Sequence, residues 1–515
     1  MKDKRTQSHS HVEILDTTLR DGEQTPGVAF TPVEKLELAR LLLGSVKVDR
    51  LEAGSARVSD GEREAVVSII DWADNRGMRE SIEILGFVDG GKSAQWTADA
   101  GCRVLNLLTK GSEKHCRIQL RKTPRQHYDD VAREIENAVK LGLAVNVYLE
   151  DWSNGMRDSF GYVHEFVNVL SGLPVERIML PDTLGVLFPE EVTRYFDWMF
   201  AAYPDLRLDF HGHNDYGLVT ANSLAAVRSG ASGVHVTVNG LGERTGNQPL
   251  APLVVAVNDL SGRRCRVVEK MLVKASELVQ NVSGKRCAWN SPVTGVDVFT
   301  QTCGVHADGD KKGNLYANRL LPERFGRERL YALGKLSGKA SIDQNLDAAG
   351  IELEPEVRSK VLEAVVRLGD KKKQVTPADL PFLIADVLNR PVTSRLRIVD
   401  YEIGTRSGAL PRAAVTVELD GVKHGGSATG DGGYDAFVKA LRKILRGMGI
   451  KMPKLIDYEV RIPPGGKTDA LVETTISWDT SGHKALVTTG VDSDQLAAAS
   501  AATAKLQNFI MKEKK

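Results

Sequence analysis

Two histidines one residue apart, His211 and His213 in "HGHND", are the strongest chemical signal in this chain of 515 residues. Residues i and i+2 of a strand project from the same face, so both imidazoles point one way. A single divalent ion needs that arrangement. Its third and fourth ligands should be oxygen donors, and two stand at suitable positions: Asp21 in "ILDTTLRDGEQTPG" and Asn247 in "NGLGERTGN". Mixed nitrogen and oxygen ligands with open positions suit Mg2+, Mn2+, Co2+ or Zn2+ and do not select among them. A lone HxH pair is as readily structural; the company of the other two motifs favours a metal. The glycines of "NGLGERTGN" (Gly240, Gly242, Gly246) match neither a P-loop nor a dinucleotide fingerprint. They read better as a turn that brings Asn247 to the metal and sets Glu243 and Arg244 at the rim. In the first motif an apolar run ends in the adjacent charges Arg20 and Asp21, either a solvated strand end or a catalytic one. Gly22 is read there as permitting a tight turn, with Glu23 and Gln24 shaping the loop.

These residues need a scaffold that gathers strand ends. From Val12 to about Gly240 short apolar runs alternate with amphipathic segments: "VEILDTTL", "DRLEAGSA", "SIEILGF", "RVLNLLT", "AVNVYLED", "RIMLPDT", "LRLDFHGH" and "GVHVTVNG". Between them lie patterns such as "TPVEKLELARLLLGS", with Thr31 as N-cap and apolar residues at helical spacing. The alternation predicts an α/β fold, a (β/α)8 TIM barrel, with a doubly wound open sheet as the alternative. Its functional end lies at the C-terminal ends of the strands. There the strands deliver Arg20 and Asp21, Glu52, Leu85, Leu108, Tyr148 with Glu150, Asp182 with Thr183, the HxH pair, and the turn ending at Asn247.

Three segments are expected: a catalytic barrel over residues 1–289, a helical linker subdomain over 290–395, and a C-terminal α+β domain over 396–515. The linker opens with a glycine-rich loop, "TGVDVFTQTCGVHADGDKKGNLYANRLLPERFG", followed by helical patterns in "EPEVRSKVLEAVVRLGD" and "TPADLPFLIADVLNR". The last segment contains a degenerate repeat, each copy reading strand, turn, strand, glycine turn, helix. Such a pseudo-twofold module suggests small-molecule sensing or dimerisation. A net charge of +1 gives no electrostatic case for nucleic acid. Five scattered cysteines without a CxxC pair argue against disulfides or a thiolate metal site. With no signal-like N-terminus and no apolar run long enough to span a bilayer, the expectation is a soluble cytoplasmic protein.

"LDTTLRDGEQ", "HGHNDYGLVTANSLAA" and "GLGERTGNQPL", joined in this order, resemble the metal-dependent acyltransferases that include the 2-isopropylmalate, homocitrate and citramalate synthases. The resemblance covers nearly the whole chain, and "EILGFVDG", "LNLLTKGS", "NVYLEDWSNG" and "DKKGNLYAN" are most similar to the long-chain (R)-citramalate synthases. It implies a Claisen-type condensation of acetyl-CoA with a 2-oxo acid, followed by thioester hydrolysis. The metal would then bind the 2-oxo acid, Arg20 would stabilise the developing alkoxide, and Thr183 would hydrogen-bond the carboxylate. The resemblance points to His306 of "GVHADG" as the base, with Glu150 and Glu243 orienting it or binding water, and Tyr316 nearby. A solvated loop histidine is the alternative for His306, and a structural carboxylate paired with Arg20 is the alternative for Glu52.

Leu85, Leu108 and Tyr148 would stand where the side chain of the 2-oxo acid goes, if they are more than barrel packing. They form a small apolar pocket suited to pyruvate, and extra carbons there cost about 1–3 kcal/mol. None is cationic, which disfavours 2-oxoglutarate. The resemblance therefore implies citramalate synthesis for isoleucine, with 2-isopropylmalate synthesis for leucine as the alternative. It also implies a homodimer whose terminal domain binds an inhibitory amino acid, isoleucine before leucine. Tyr434, Asp435, Ile462, Thr468 and Val472 are the candidate effector contacts; helix-start and strand packing is their alternative role. A metal-dependent carbon–carbon lyase shares "LRDG" and HxH, but those lyases are shorter and use a cysteine on a flexible loop. A non-catalytic amino-acid-binding protein would not need Arg20, Asp21, His211, His213, Asn247 and His306 together.

Overall fold

The computed structural model describes residues 11–348, 351–370, 375, 379–388, 395–461, 472–479 and 485–512. They form two compact units, Met1–Phe299 with Asn318–Glu328, and Thr300–Ala317 with Arg329–Lys515. The returning segment is tied to the first unit by ion pairs from Arg324 to Asp259 and Glu269, both 2.8 Å. Among the described residues no helix is long and apolar enough to cross a membrane.

The first unit is a closed barrel of eight parallel strands in sequential order. They are β1 (Glu13–Asp16), β2 (Arg50–Ser55), β3 (Ile82–Phe87), β4 (Val104–Lys110), β5 (Ala144–Glu150), β6 (Arg177–Asp182), β7 (Leu208–Gly212) and β8 (Gly233–Val236). All eight coincide with the apolar runs read from the sequence. The pleat explains why the runs were so apolar: Ile14, Leu51, Ile84, Leu105, Val147, Ile178, Phe210 and Val234 are fully buried. They pack with helical side chains into the main cores of the unit. The helix Pro32–Ala39 begins with a capping box in which Thr31 and Glu34 each accept the other's amide.

The inward face is layered. At the N-terminal strand ends Arg50 pairs with Glu13 and Glu83, both at 3.0 Å, and with Asp209. Arg177 adds contacts to Glu13 at 2.6 Å and Asp209 at 3.4 Å. This ionic plug ties together five strands. Above it Asn146 donates to Asn106 and Asn106 donates to Glu52, each at 2.8 Å. Nearest the C-terminal ends lies a small apolar cluster of Leu15, Leu85, Tyr148 and Met179, with Leu108 packed against it.

In the second unit β9 (Thr300–Gln301) pairs in parallel with β10 (Leu330–Tyr331). Within the segment expected as a loop, Gly304–Lys311 is a helix. The glycines made it look irregular, but Gly309 lies inside the helix against the Tyr316 ring, 2.5 Å from where a Cβ would stand. Helices Lys339–Ala348, Pro355–Asp370 and Leu380–Val387 enclose a core that includes Ile342, Leu346, Val361, Val365 and Leu380. The repeat follows as β11 (Leu396–Arg406), β12 (Ala409–Leu419) and β13 (Val422–Thr429) with helix Gly433–Gly447, then β14 (Lys454–Arg461), β15 (Val472–Asp479) and β16 (Ala485–Asp492) with helix Gln495–Lys512. Each copy is an antiparallel sheet of three strands rather than two. The extra strands β11 and β14 are mostly exposed or half-buried, so their sequences lack a clean apolar alternation.

Candidate active site

The turn after β1 is built on one carbonyl: the amides of Arg20, Asp21 and Gly22 all donate to Thr17 O, at 3.1, 2.9 and 3.1 Å. Gly22 is not needed for an unusual backbone angle, contrary to the tight-turn reading. A Cβ there would lie 3.3 Å from Leu241 Cβ, a tight contact between the first and last strand loops. Lys35, only 1 % exposed, anchors the turn from below by donating to Leu19 O at 3.0 Å and pairing with Glu23 at 2.7 Å and Glu62 at 2.6 Å. Glu23 also accepts the amide of Phe30 at 2.8 Å, which fits its loop-shaping role.

Held in this way, Arg20 points into the barrel. Its Nε donates to Glu52 at 2.7 Å and its Nη1 lies 3.2 Å from Asp21. Glu52 is fully buried and also accepts from Thr17 Oγ1 and Asn106, so it orients the guanidinium. Burial opposes the charge on Arg20, but Asp21 and Glu52 outweigh it and keep the guanidinium firmly protonated.

Asp21, His211 and His213 come together as a buried cluster whose donor atoms lie within 4.8 Å of one another. The two Nε2 atoms are 3.3 Å apart, and His211 Nε2 is 3.3 Å from Asp21 Oδ2. Burial lowers the pKa of both imidazoles, more strongly at His211, and keeps them neutral. Burial pushes Asp21 the other way, but Arg20, His211 and His213 overcome it and hold the carboxyl at about 2. Asn247 reaches the same place through an antiparallel bridge with His213. Its Nδ2 donates to Leu241 O at 3.0 Å, while its Oδ1 is buried with no hydrogen-bond partner among the described residues. Two neutral imidazoles, an ionised carboxylate and an unpartnered amide oxygen fit a divalent cation. Gly246 makes the turn possible: at φ 87° its Cβ would lie 1.9 Å from Gly240 O.

Of the expected pocket residues, Leu85 and Tyr148 are buried and Leu108 packs against them. The Tyr148 hydroxyl is 3.5 Å from Arg20 Nη2, and its ring meets His211 edge-on at 6.0 Å between centroids. Thr183 Oγ1 accepts the Asp151 amide at 2.9 Å, joining the ends of β5 and β6. Asp182 accepts the amides of Val186 and Leu187, each at 3.0 Å, and is structural. Glu150 is ion-paired with Lys110 at the end of β4. Glu243 is largely exposed, 3.7 Å from Arg244, which itself binds Asp215 at 2.8 Å.

His306 and Tyr316 belong to the second unit, where their rings pack at 4.2 Å. In the terminal repeat Tyr434 bonds Thr503 at 2.8 Å and packs on Tyr458, and Asp435 pairs with Lys439 at 2.6 Å and accepts the amide of Asp431. Val472 is buried at the start of β15; Ile462 and Thr468 lie outside the described residues.

Sequence reasoning missed Lys35, Lys110 and His235. Lys110 and His235 carry a legible signal, a polar residue at an inward position of a barrel strand. Lys35 carries none, because a lysine in the first turn of an amphipathic helix reads as solvated.

The HMGL-like family pattern matches residues 11–279. The homocitrate synthase post-HMGL domain-like pattern matches 293–373, and the LeuA allosteric (dimerisation) domain pattern matches 374–511. An (R)-citramalate synthase of Methanocaldococcus jannaschii is 33% identical, covering 90% of this chain and 92% of that protein. A 2-isopropylmalate synthase of the same organism is 32% identical, covering 95% and 92%. With this domain order and these relatives, the chain belongs to the HMGL-like family and is an acyl-transferring condensation enzyme of the citramalate and 2-isopropylmalate synthase group.

Proposed function

We propose that the protein is an (R)-citramalate synthase, condensing acetyl-CoA with pyruvate and hydrolysing the thioester to give citramalate and CoA. The carrying observation is the apolar cluster of Leu85, Leu108 and Tyr148 beside Arg20 and the Asp21–His211–His213 group. Its walls are large side chains packed together with Leu15 and Met179, which supports an acceptor with a methyl rather than an isopropyl group.

Asp21, His211, His213 and Asn247 would hold the divalent ion, which when bound supplies Lewis-acid polarisation of the keto group. Arg20 donates to the keto oxygen as negative charge develops there, and Glu52 prevents the guanidinium from turning away. The Thr183 hydroxyl orients the carboxylate. His306 removes a proton from the acetyl methyl group, the new C–C bond forms to the keto carbon, and the alkoxide is protonated. Glu150, held by Lys110, and Glu243 position the water that then cleaves the C–S bond of the thioester.

Residues 1–289 would be the catalytic barrel, 290–395 the linker bearing His306, and 396–515 a regulatory domain that dimerises and binds isoleucine. The cytoplasm is the compartment that suits acetyl-CoA and five free cysteines. The deciding experiment measures CoA release from acetyl-CoA with a panel of 2-oxo acids, before and after chelation. Highest kcat/KM with pyruvate and loss of turnover on chelation are expected. A higher kcat/KM with 2-oxoisovalerate would make the protein a 2-isopropylmalate synthase.

A further inference from the structure

His235, on β8, lies inside the barrel at the level of Leu15, with which it is in register. It is 1 % exposed. Its Nδ1 is 3.0 Å from the Tyr148 hydroxyl and its Nε2 is 3.6 Å from Asp209 Oδ2. The ring meets those of both Tyr148 and His211 edge-on, at 5.3 and 5.4 Å between centroids.

The hydrogen-bond direction follows. Arg20 can only donate, so at 3.5 Å the Tyr148 oxygen accepts from Arg20 Nη2 and its O–H is free to donate elsewhere. The O–H is then directed at His235 Nδ1, 3.0 Å away, which accepts it. The pairing with Arg20 and His235 holds the Tyr148 hydroxyl from two sides. It fixes a ring that would otherwise rotate about two side-chain torsions.

We propose that His235 is a positioning residue that sets acceptor specificity: by accepting the Tyr148 hydroxyl proton it locks the wall of the 2-oxo acid pocket. This rests on the reading of Leu85, Leu108 and Tyr148 as the acceptor pocket. Without the lock the Tyr148 ring can yield to a larger acceptor side chain, so the effect falls on the preference between acids rather than on all of them equally.

The test compares kcat/KM for pyruvate with that for 2-oxobutyrate and 2-oxoisovalerate in the wild type, Tyr148→Phe, His235→Leu, His235→Asn and the Tyr148→Phe/His235→Leu double variant. Either single loss of the hydrogen bond should lower the preference for the smaller acid about 5- to 10-fold, the size expected for one buried hydrogen bond. The double variant should shift it no further, and His235→Asn, which retains an acceptor near Nδ1, should restore much of it. A purely structural role for His235 would lower the activity on all acids together and leave the ratio unmoved. An unchanged ratio in His235→Leu, or shifts that add in the double variant, overturns the proposal. If His235→Leu does not fold, Tyr148→Phe with an unaltered ratio overturns it by itself, and a lowered ratio in Tyr148→Phe together with a near-wild-type ratio in His235→Asn upholds it. The wild-type ratio separately tests the preference for pyruvate, because the coupling of the variants is read from changes in the ratio whichever acid is preferred.

Discussion

Arg20 holds two carboxylates on different nitrogens, Glu52 through Nε and Asp21 through Nη1. Arg20→Ala should lower kcat about 100- to 1,000-fold, the range for loss of one charge-stabilising donor. Arg20→Lys should rescue little, since one ammonium cannot reproduce the fork. Steady-state CoA release checks both. Asp16 gives a stability effect apart from the chemistry. By strand alternation it shares the outward face of β1 with Ile14, and its Oδ2 has no hydrogen-bond partner among the described residues. Burial, only partly offset by the hydrogen bonds of Thr18, pushes its pKa up to about 7. The folded state therefore retains a proton that the unfolded chain releases from about pH 4 upward, so folding is penalised as the pH rises through this window to about 7, by an amount of order 4 kcal/mol at most. Asp16→Asn should melt higher than the wild type at pH 8, and the difference should shrink toward pH 4 in thermal scans. Asp21, His211, His213 and Asn247 were legible as candidate ligands because their side chains are rare together at strand ends. Asp16 was not, because a carboxylate amid an apolar run looks the same whether it faces the helices or the lumen.

At the level of elements, the eight barrel strands stood out as apolar runs since their outward faces are covered by helices, whereas β11 and β14 did not because little of either is buried. The turn after β1 depends on an element that contributes no chemistry, the helix Pro32–Ala39 with Lys35. Lys35→Met keeps the stem but takes the ammonium away from Glu62, Glu23 and Leu19 O. It should destabilise the protein by about 3–5 kcal/mol, as for a broken buried pair, and weaken metal binding because Asp21 lies on the same turn. Thermal denaturation with and without added Mn2+ checks both effects. On β4, Leu108→Ala should raise relative kcat/KM for 2-oxoisovalerate about 10- to 200-fold if it lines the acceptor pocket. An unchanged ratio would assign Leu108 to core packing.

For the whole molecule, the sequence order of barrel, helical segment and repeat agrees with the three family patterns along the chain. The two compact units divide it differently, with Asn318–Glu328 counted with the barrel. Ion pairs such as Arg324 with Asp259 and Glu269 join residues far apart in sequence, and no periodicity announces them. Removing residues 396–515 should leave Mn2+ binding to the barrel intact while abolishing any response to isoleucine, measured by metal titration and by CoA release with the amino acid present. If isoleucine neither inhibits nor raises the melting temperature of the full chain, it is not the effector.

The ionic plug of Glu13, Arg50, Glu83, Arg177 and Asp209 has a kinetic consequence. It fills the barrel axis at its lower end with side chains bound to one another, so substrates should reach the proposed pocket from the opposite, C-terminal end of the strands. With the proposed substrates, the small acid occupies the bottom and the bulky thioester arrives over it. Binding should then follow a compulsory order, 2-oxo acid first, with high acetyl-CoA trapping the acid already bound. Isotope trapping of labelled pyruvate should reveal that commitment, and labelled acetyl-CoA bound alone should not be trapped.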